Sequence, residues 1–415
     1  MSPDSAAAPN LPTWNLADLY AGPEAPEVER DLKDAATKAA AFRRRYEGKL
    51  AALDGAGFLE AILAYEVISE ILGRVGSFAQ LLYSGDMSNV EFGRFQQNIT
   101  ERSTEISLET LFFTLEINKL EDADMAAKLR HAPLRRFAPW LDAVRAFRPH
   151  QLSDEIEKLL HERDVVGRQA WMRLFDETMA DLRFDVGGKQ LTSNEALNLL
   201  YEQDGAKRKQ AADALAKGFK DNERVFALVT NTLAKEKEID DKWRSFARPV
   251  SSRNLANQVE DDVVDALVAA VKASYPQLSH RYYKLKAKWL GLPKLNYWDR
   301  NAPLPDDEDA PIAWDEAQSL VLNAYRDFSP KLAEVGKVFF DKGWIDVPPR
   351  PGKAPGAFAH PTVPSAHPYL LLNYHGRTRD VMTLAHELGH GVHQVLAAPQ
   401  GQLLCDTPLT LAETA

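Results

Sequence analysis

The segment TLAHELGHGVHQ, residues 383–394, places His386 and His390 four apart with Glu387 directly after the first histidine. On a helix, side chains at i and i+4 project from one face about a turn apart, so both imidazoles can reach one cation at roughly 2.0–2.1 Å. The Glu387 carboxylate then lies on the flank of that pair, where it can touch a metal-bound water without being a ligand. Zinc acidifies such a water, Glu387 takes the proton, and the hydroxide attacks a polarised carbonyl. The same acid can then protonate the leaving amine. The spacing therefore points to hydrolysis assisted by one Zn²⁺ per chain. Coincidence alone would place an HExxH in roughly 1–2% of chains this rich in histidine, so the context has to support it. It does so in two ways. Leu384, Leu388, Val392 and Val395 give the helix an apolar side, with Gly389 and Gly391 leaving room for close approach, and six of the ten histidines fall between 360 and 393.

A catalytic zinc needs a third protein ligand and an open position. His393, at i+7 from His386, shares the face but lies about 10.5 Å along the axis at 1.5 Å per residue. It is expected to pack beside the ligands. Glu413 is the other candidate: after a turn at Ala398-Pro399-Gln400-Gly401, Pro408 opens a new helical pattern that can return a carboxylate. Spacing alone leaves Glu413 equally readable as an ordinary exposed helix residue.

The elements that must hold these groups are mostly helical. In residues 27–50, Val28, Leu32, Ala35, Ala39 and Phe42 recur three or four apart, one face of an amphipathic helix. Further helical patterns run over 56–84, 88–120, 152–181, 194–245, 259–290 and 314–341. LRFDVGGKQLT (182–192) reads as a β-hairpin turning at Gly187-Gly188, with Thr192 and Glu195 as a capping box beyond it. A boundary near residue 190 separates an N-terminal helical region, 1–190, from a region 191–415 carrying the motif. The acidic stretch 300–314 lacks the alternating oxygen ligands and glycine of a calcium loop and reads as solvated. From 345, prolines and glycines surround two short apolar runs, 356–359 and 369–374, expected to form a small antiparallel sheet beside the motif helix. Asp380 is expected to cap that helix or, alternatively, to bond around the metal.

The composition excludes several classes. A net charge of −10 argues against general nucleic-acid binding. No apolar run of about 18 residues is present, so no membrane span is expected. The N-terminus lacks the basic start and apolar core of a secretory signal and reads as a flexible leader before Trp14. The one cysteine, Cys405, rules out internal disulfides and suits a reducing compartment, with the cytoplasm as the default.

The strings GKAPGAF (352–358), PYLLLNYHGRTRDVMTLAHELGHGVHQ (368–394) and LAETA (411–415) resemble the oligoendopeptidase F branch of the M3 metallopeptidases, as does WNLADLY (14–20) ahead of a long helical region. The resemblance implies a mainly α, elongated, two-lobed zincin-like fold with a deep channel, in which short unstructured peptides are cut. It implies His386, His390 and Glu413 as zinc ligands and Glu387 as the general base. Gly356, Ala357, Phe358 and Ala359, within GAFAH (356–360), would form the edge strand that pairs with bound peptide. Chains of this family run on past the third ligand, whereas LTLAETA stops in a helical pattern without a glycine cap. The expectation is a truncated chain, or one whose missing C-terminal segment or partner chain completes the site. A carboxypeptidase of related architecture and a catalytically incomplete peptide-binding fragment are the alternatives, with an accidental HExxH in a helical interaction module behind them.

Overall fold

The computed structural model describes residues 11–305 and 311–414. The start of the leader, the centre of the acidic stretch and Ala415 lie outside the described residues. The chain forms two compact units. The first comprises the chain up to Ala170, Lys242–Phe246 and the chain from Pro311 onward; the second comprises Trp171–Asp241 and the stretch from Ala247. The boundary expected near residue 190 falls inside the second unit.

The first unit is built on three long helices and the sheet that follows them. Helix α1, Pro26–Tyr46, has proline in its first turn, where a missing N–H costs nothing, and it buries Val28, Leu32, Ala35, Ala39, Phe42 and Tyr46. Helix α2, Gly55–Gly85, is capped by Asp54, whose side chain accepts the N–H of Gly57. Helix α3, Val90–Leu108, is capped by Asn89. The pattern over 88–120 was continuous in sequence, yet the helix breaks at 109–111. There Ser107 and Thr110 donate their hydroxyls back to the carbonyls of Thr104 and Ser107, which competes with the helical ladder. Phe42, Phe58, Phe112 and Phe113 fill the core between these helices, with Tyr65 and Trp140 against it.

Helices α4, Trp314–Phe328, and α5, Pro330–Asp341, replace the single pattern read over 314–341. Pro330 cannot continue α4, and Ser329 caps α5. Strands β1 (Ile345–Asp346), β2 (Phe358–His360) and β3 (Tyr369–Leu371) form a sheet in the order β1-β3-β2. This sheet is mixed rather than antiparallel throughout: β2 pairs antiparallel with β3, Ala359 opposite Leu370, but β1 pairs parallel with it. A two-residue strand is too short to show a period, which hid β1 from the sequence. Central β3 is buried on both faces, with Tyr369, Leu370 and Leu371 fully covered.

The motif helix α6, Thr378–Ala397, buries Leu384 and Leu388 against a core of Trp314, Phe339, Ile345, Leu370 and Tyr374, and Val392 is buried as well. Its approach requires glycine at 391, because a Cβ there would stand 2.7 Å from the ring of Phe339. Phe339 is fully buried and has nowhere to retreat. Gly391→Ala is therefore expected to lower stability by about 1–3 kcal/mol, the usual cost of overpacking. The denaturation midpoint of metal-free protein checks this, and an unchanged midpoint would show that the helix can shift.

In the second unit, Phe184–Val186 and Lys189–Leu191 form the expected hairpin, with Gly187 and Gly188 both at positive φ. Thr192 and Glu195 form a capping box. Helices Gly205–Asp221, Glu223–Trp243, Asp261–Ser274 and Ser279–Trp289 subdivide the longer patterns. A buried ion pair joins Arg208 to Asp299 at 2.8 Å. Among the described residues, no helix is long and apolar enough to cross a membrane.

Candidate active site

The site lies wholly in the first unit. Asp380 fixes the entry to α6: its carboxylate accepts the N–H groups of His375 and Arg377 at 2.8 and 3.0 Å. An acid in the first turn also complements the helix dipole. Ahead of it, Gly376 stands at φ +84, a turn with its carbonyl bonded by Ile312 N–H at 2.8 Å. These contacts set the rotation of α6, and with it the direction of the two histidines.

One turn apart on α6, His386 and His390 bring their Nε2 atoms to 3.1 Å. After α6 the chain turns at Ala398–Gln400, passes through Gly401 at φ +86, and re-enters a short helix, α7, Leu409–Ala412. Glu413 follows it, its carboxylate 3.4 Å from His386 Nε2 and 3.6 Å from His390 Nε2. Among the described residues these three form the one group whose ligand atoms all lie within 4.8 Å of one another. Donors held at 2.0–2.1 Å around a tetrahedral ion are about 3.3–3.4 Å apart. The three observed separations bracket that value, so the donor set fits a zinc ion. His386 and Glu413 are each about half exposed, while His390 is 17% exposed, so the arrangement is open on one side. His393 is not in the group, though it lies close enough to His390 to disfavour its protonation.

Glu387, next to His386 on the same helix, is 8% exposed. Burial pushes its carboxyl upward and the Glu413 charge adds to that. Proximity to His386 and a hydrogen bond from Ala359 N–H act against them. Burial and the neighbouring His386 hold His390 below the ordinary histidine value, which favours the neutral ring a metal requires.

The Ala359 bond places β2 against the motif helix. In the sheet β2 is an edge strand, paired on one side with β3. Gly356 precedes it at φ +78 with open space around it, its carbonyl accepting from Asn373 Nδ2 at 2.9 Å. Ala357 and Ala359 lean on the core beneath α6, and Phe358 on the core of the N-terminal helices. His360 is half-buried, and its Nδ1 accepts Thr362 N–H at 3.1 Å. Burial pushes its pKa down to about 4. Between about pH 4 and 6.5 the unfolded chain therefore binds more protons here than the folded one. The stability contribution is intact above about pH 6.5 and disappears as pH falls towards 4. Denaturation midpoints at pH 7 and about pH 4.5 should drop further for the native sequence than for His360→Asn. Equal drops would place the acid sensitivity elsewhere.

Three supporting residues gave no signal in the sequence. The Tyr325 hydroxyl donates to the Ala385 carbonyl, directly before His386. Asn373 holds the carbonyls of both Ala354 and Gly356. Lys353, fully buried, donates to the Asp346 carboxylate and the Pro348 carbonyl at 2.9 Å, and so shapes the approach to Gly356.

Residues 116–184 match the family model for oligopeptidase F, and residues 198–415 match that for peptidase family M3. The chain is 27% identical over 403 residues to oligopeptidase PepF of Bacillus subtilis, covering 94% of this chain and 58% of that protein. It is 26% identical over 412 residues to group B oligopeptidase PepB of Streptococcus agalactiae, covering 97% of this chain and 67% of the relative. The chain thus spans about three-fifths to two-thirds of the length of these relatives. Among solved structures, PZ peptidase A with an inhibitor superposes with a TM-score of 0.73 at 14% identity, covering 92% of this chain and 66% of that one. Oligoendopeptidase F of Enterococcus faecium superposes at 0.61 and 20% identity, covering 76% and 63%. At these identities the superpositions bear on the fold alone. The family match over residues 198–415 takes in more than half of the sequence and spans His386, Glu387, His390 and Glu413, and this protein belongs to peptidase family M3.

Proposed function

We propose that this protein is a zinc-dependent endopeptidase that hydrolyses internal bonds of short unstructured peptides. The observation that carries the reading is the convergence of His386, His390 and Glu413 at 3.1–3.6 Å. Two imidazoles and a carboxylate with an open side form a donor set suited to catalytic zinc. A bound zinc ion would supply Lewis-acid polarisation of a carbonyl and an acidified water. Glu387 receives the proton of the attacking water and delivers it to the departing amine. Its burial supports the first half of that task, since a carboxylate whose pKa is raised takes up a proton more readily. The unpaired side of β2 offers backbone groups to an extended peptide, a recognition mode that reads main chain rather than sequence and needs an unfolded substrate. The single cysteine and the absence of a membrane-spanning helix among the described residues are compatible with action in a reducing, aqueous compartment, and we place it in the cytoplasm.

The test has two parts, both on protein carrying no histidine tag. Metal analysis should find one zinc per chain, removed by chelation and restored by zinc addition. Product mapping on peptides blocked at both ends should then show internal cuts. Zinc at background level would overturn the metal centre. Products seen only from peptides with a free C-terminus would replace endopeptidase by carboxypeptidase. Tight peptide binding with zinc in place but no turnover would favour a peptide-binding role.

A further inference from the structure

We propose that Glu66 is a positioning residue for the metal site, acting through the return loop that delivers Glu413; this rests on the metal-centre reading above. Glu66 sits on α2, 337 residues from its partner in the chain: its Oε1 accepts the N–H of Leu403 at 3.2 Å. The same oxygen lies against Gly401, where a Cβ would stand 2.7 Å away, and Gly401 is held at φ +86. Beside it, Arg136 Nη2 donates to the Gln400 carbonyl at 2.6 Å. Two charged groups of the N-terminal helical region therefore grip consecutive points of one turn.

The turn is rigid in itself. Gly401 N–H bonds to Ala398, and the N–H groups of Leu404 and Cys405 both bond back to Gly401. Leu403 and Leu404 pack on the core of the first three helices. From Cys405, three residues and the four-residue helix α7 lead to Glu413. A path that short passes on any displacement of the turn. Metal geometry tolerates only about 0.2 Å of misplacement in a donor distance, so even a small displacement of the turn reaches the site. The side chains of Glu66, Glu70 and Arg74 follow one another at successive turns of α2. Glu70 accepts Ser365 N–H at 3.1 Å, so it clasps the loop between β2 and β3 and not the path to Glu413. That makes Glu70 the matched control.

The experiment measures zinc affinity by chelator competition and the visible spectrum of the cobalt-substituted protein, using the whole chain. Glu66→Ala should weaken zinc binding by about 10–100-fold, as loss of a group that orients a ligand does, and should alter the cobalt bands. Glu66→Gln keeps an oxygen for Leu403 N–H and should recover most of the affinity. Arg136→Gln, which frees Gln400, should shift affinity in the same direction as Glu66→Ala. Glu70→Ala should leave it unchanged. Amide exchange at Leu403 in metal-free Glu66→Ala should accelerate, a readout of the grip that needs no metal. Native affinity and spectrum in Glu66→Ala would overturn the proposal, as would an equal loss in Glu70→Ala. If the native chain binds no zinc while Leu403 exchange still responds, the metal centre fails and the positioning role falls with it. If the native chain binds zinc and Glu66→Ala binds it equally well, only the positioning role fails.

Discussion

Glu387→Gln should leave zinc bound near one per chain while lowering peptide turnover by about 10²–10⁴-fold, the usual worth of a positioned acid–base group. The substitution is close to isosteric. Its amide oxygen can still accept the Ala359 N–H that holds the side chain in place. Glu387 lies outside the trio of donor atoms, so the ion keeps its ligands. What disappears is the ability to take up a proton. The effect should therefore fall on kcat, with KM little changed, because the amide keeps the bond from Ala359 N–H and so leaves β2 as it was. Loss of zinc in the variant would show Glu387 to be part of the coordination instead, and retained turnover would remove it as the base. Metal analysis alongside kcat and KM on one quenched peptide separates these results.

Glu413→Ala should weaken zinc binding by at least the roughly 10–100-fold seen when a mere supporting group is lost, and activity should fall with occupancy. The carboxylate is half exposed, so its loss removes little buried structure. The metal-free fold should accordingly melt as before. Removing it also takes a negative charge from beside Glu387, and so relieves one of the influences that raise that carboxyl. Competition titrations of native and variant protein measure the affinity directly. Unchanged affinity would show that the third ligand comes from elsewhere. His393→Ala, by contrast, should change zinc affinity little, since its ring is not among the converging donors.

What the sequence revealed was what is local. The α1 face, the Gly187-Gly188 hairpin, the Thr192–Glu195 capping box and the apolar side of the motif helix all depend on residues within a few positions of each other, and each is present. The two histidines share that property. Glu413 did not: its distance in sequence left two readings open, and only the turn through Gly401 brings its carboxylate beside the imidazoles. Long helical patterns hid their breaks, because side-chain hydroxyls at Ser107 and Thr110 compete with the ladder without changing hydropathy. The parallel pairing of Ile345 with Leu370, the Tyr325 support and the Glu66 grip depend on contacts from tens to hundreds of residues away, and no periodicity reports them.

Tyr369 belongs to the same buried cluster as Leu19, Leu32 and Phe58, and its hydroxyl donates to the Asn15 carbonyl at 2.7 Å. That places a keystone of the earliest-made helices some 200 residues beyond Ala170, the end of their first segment. At ~5–20 residues per second, a ribosome needs about 10–40 s to cover that interval. The nascent N-terminal segment must wait through it with a gap in its apolar interior, and that is the period in which it is most in need of a chaperone.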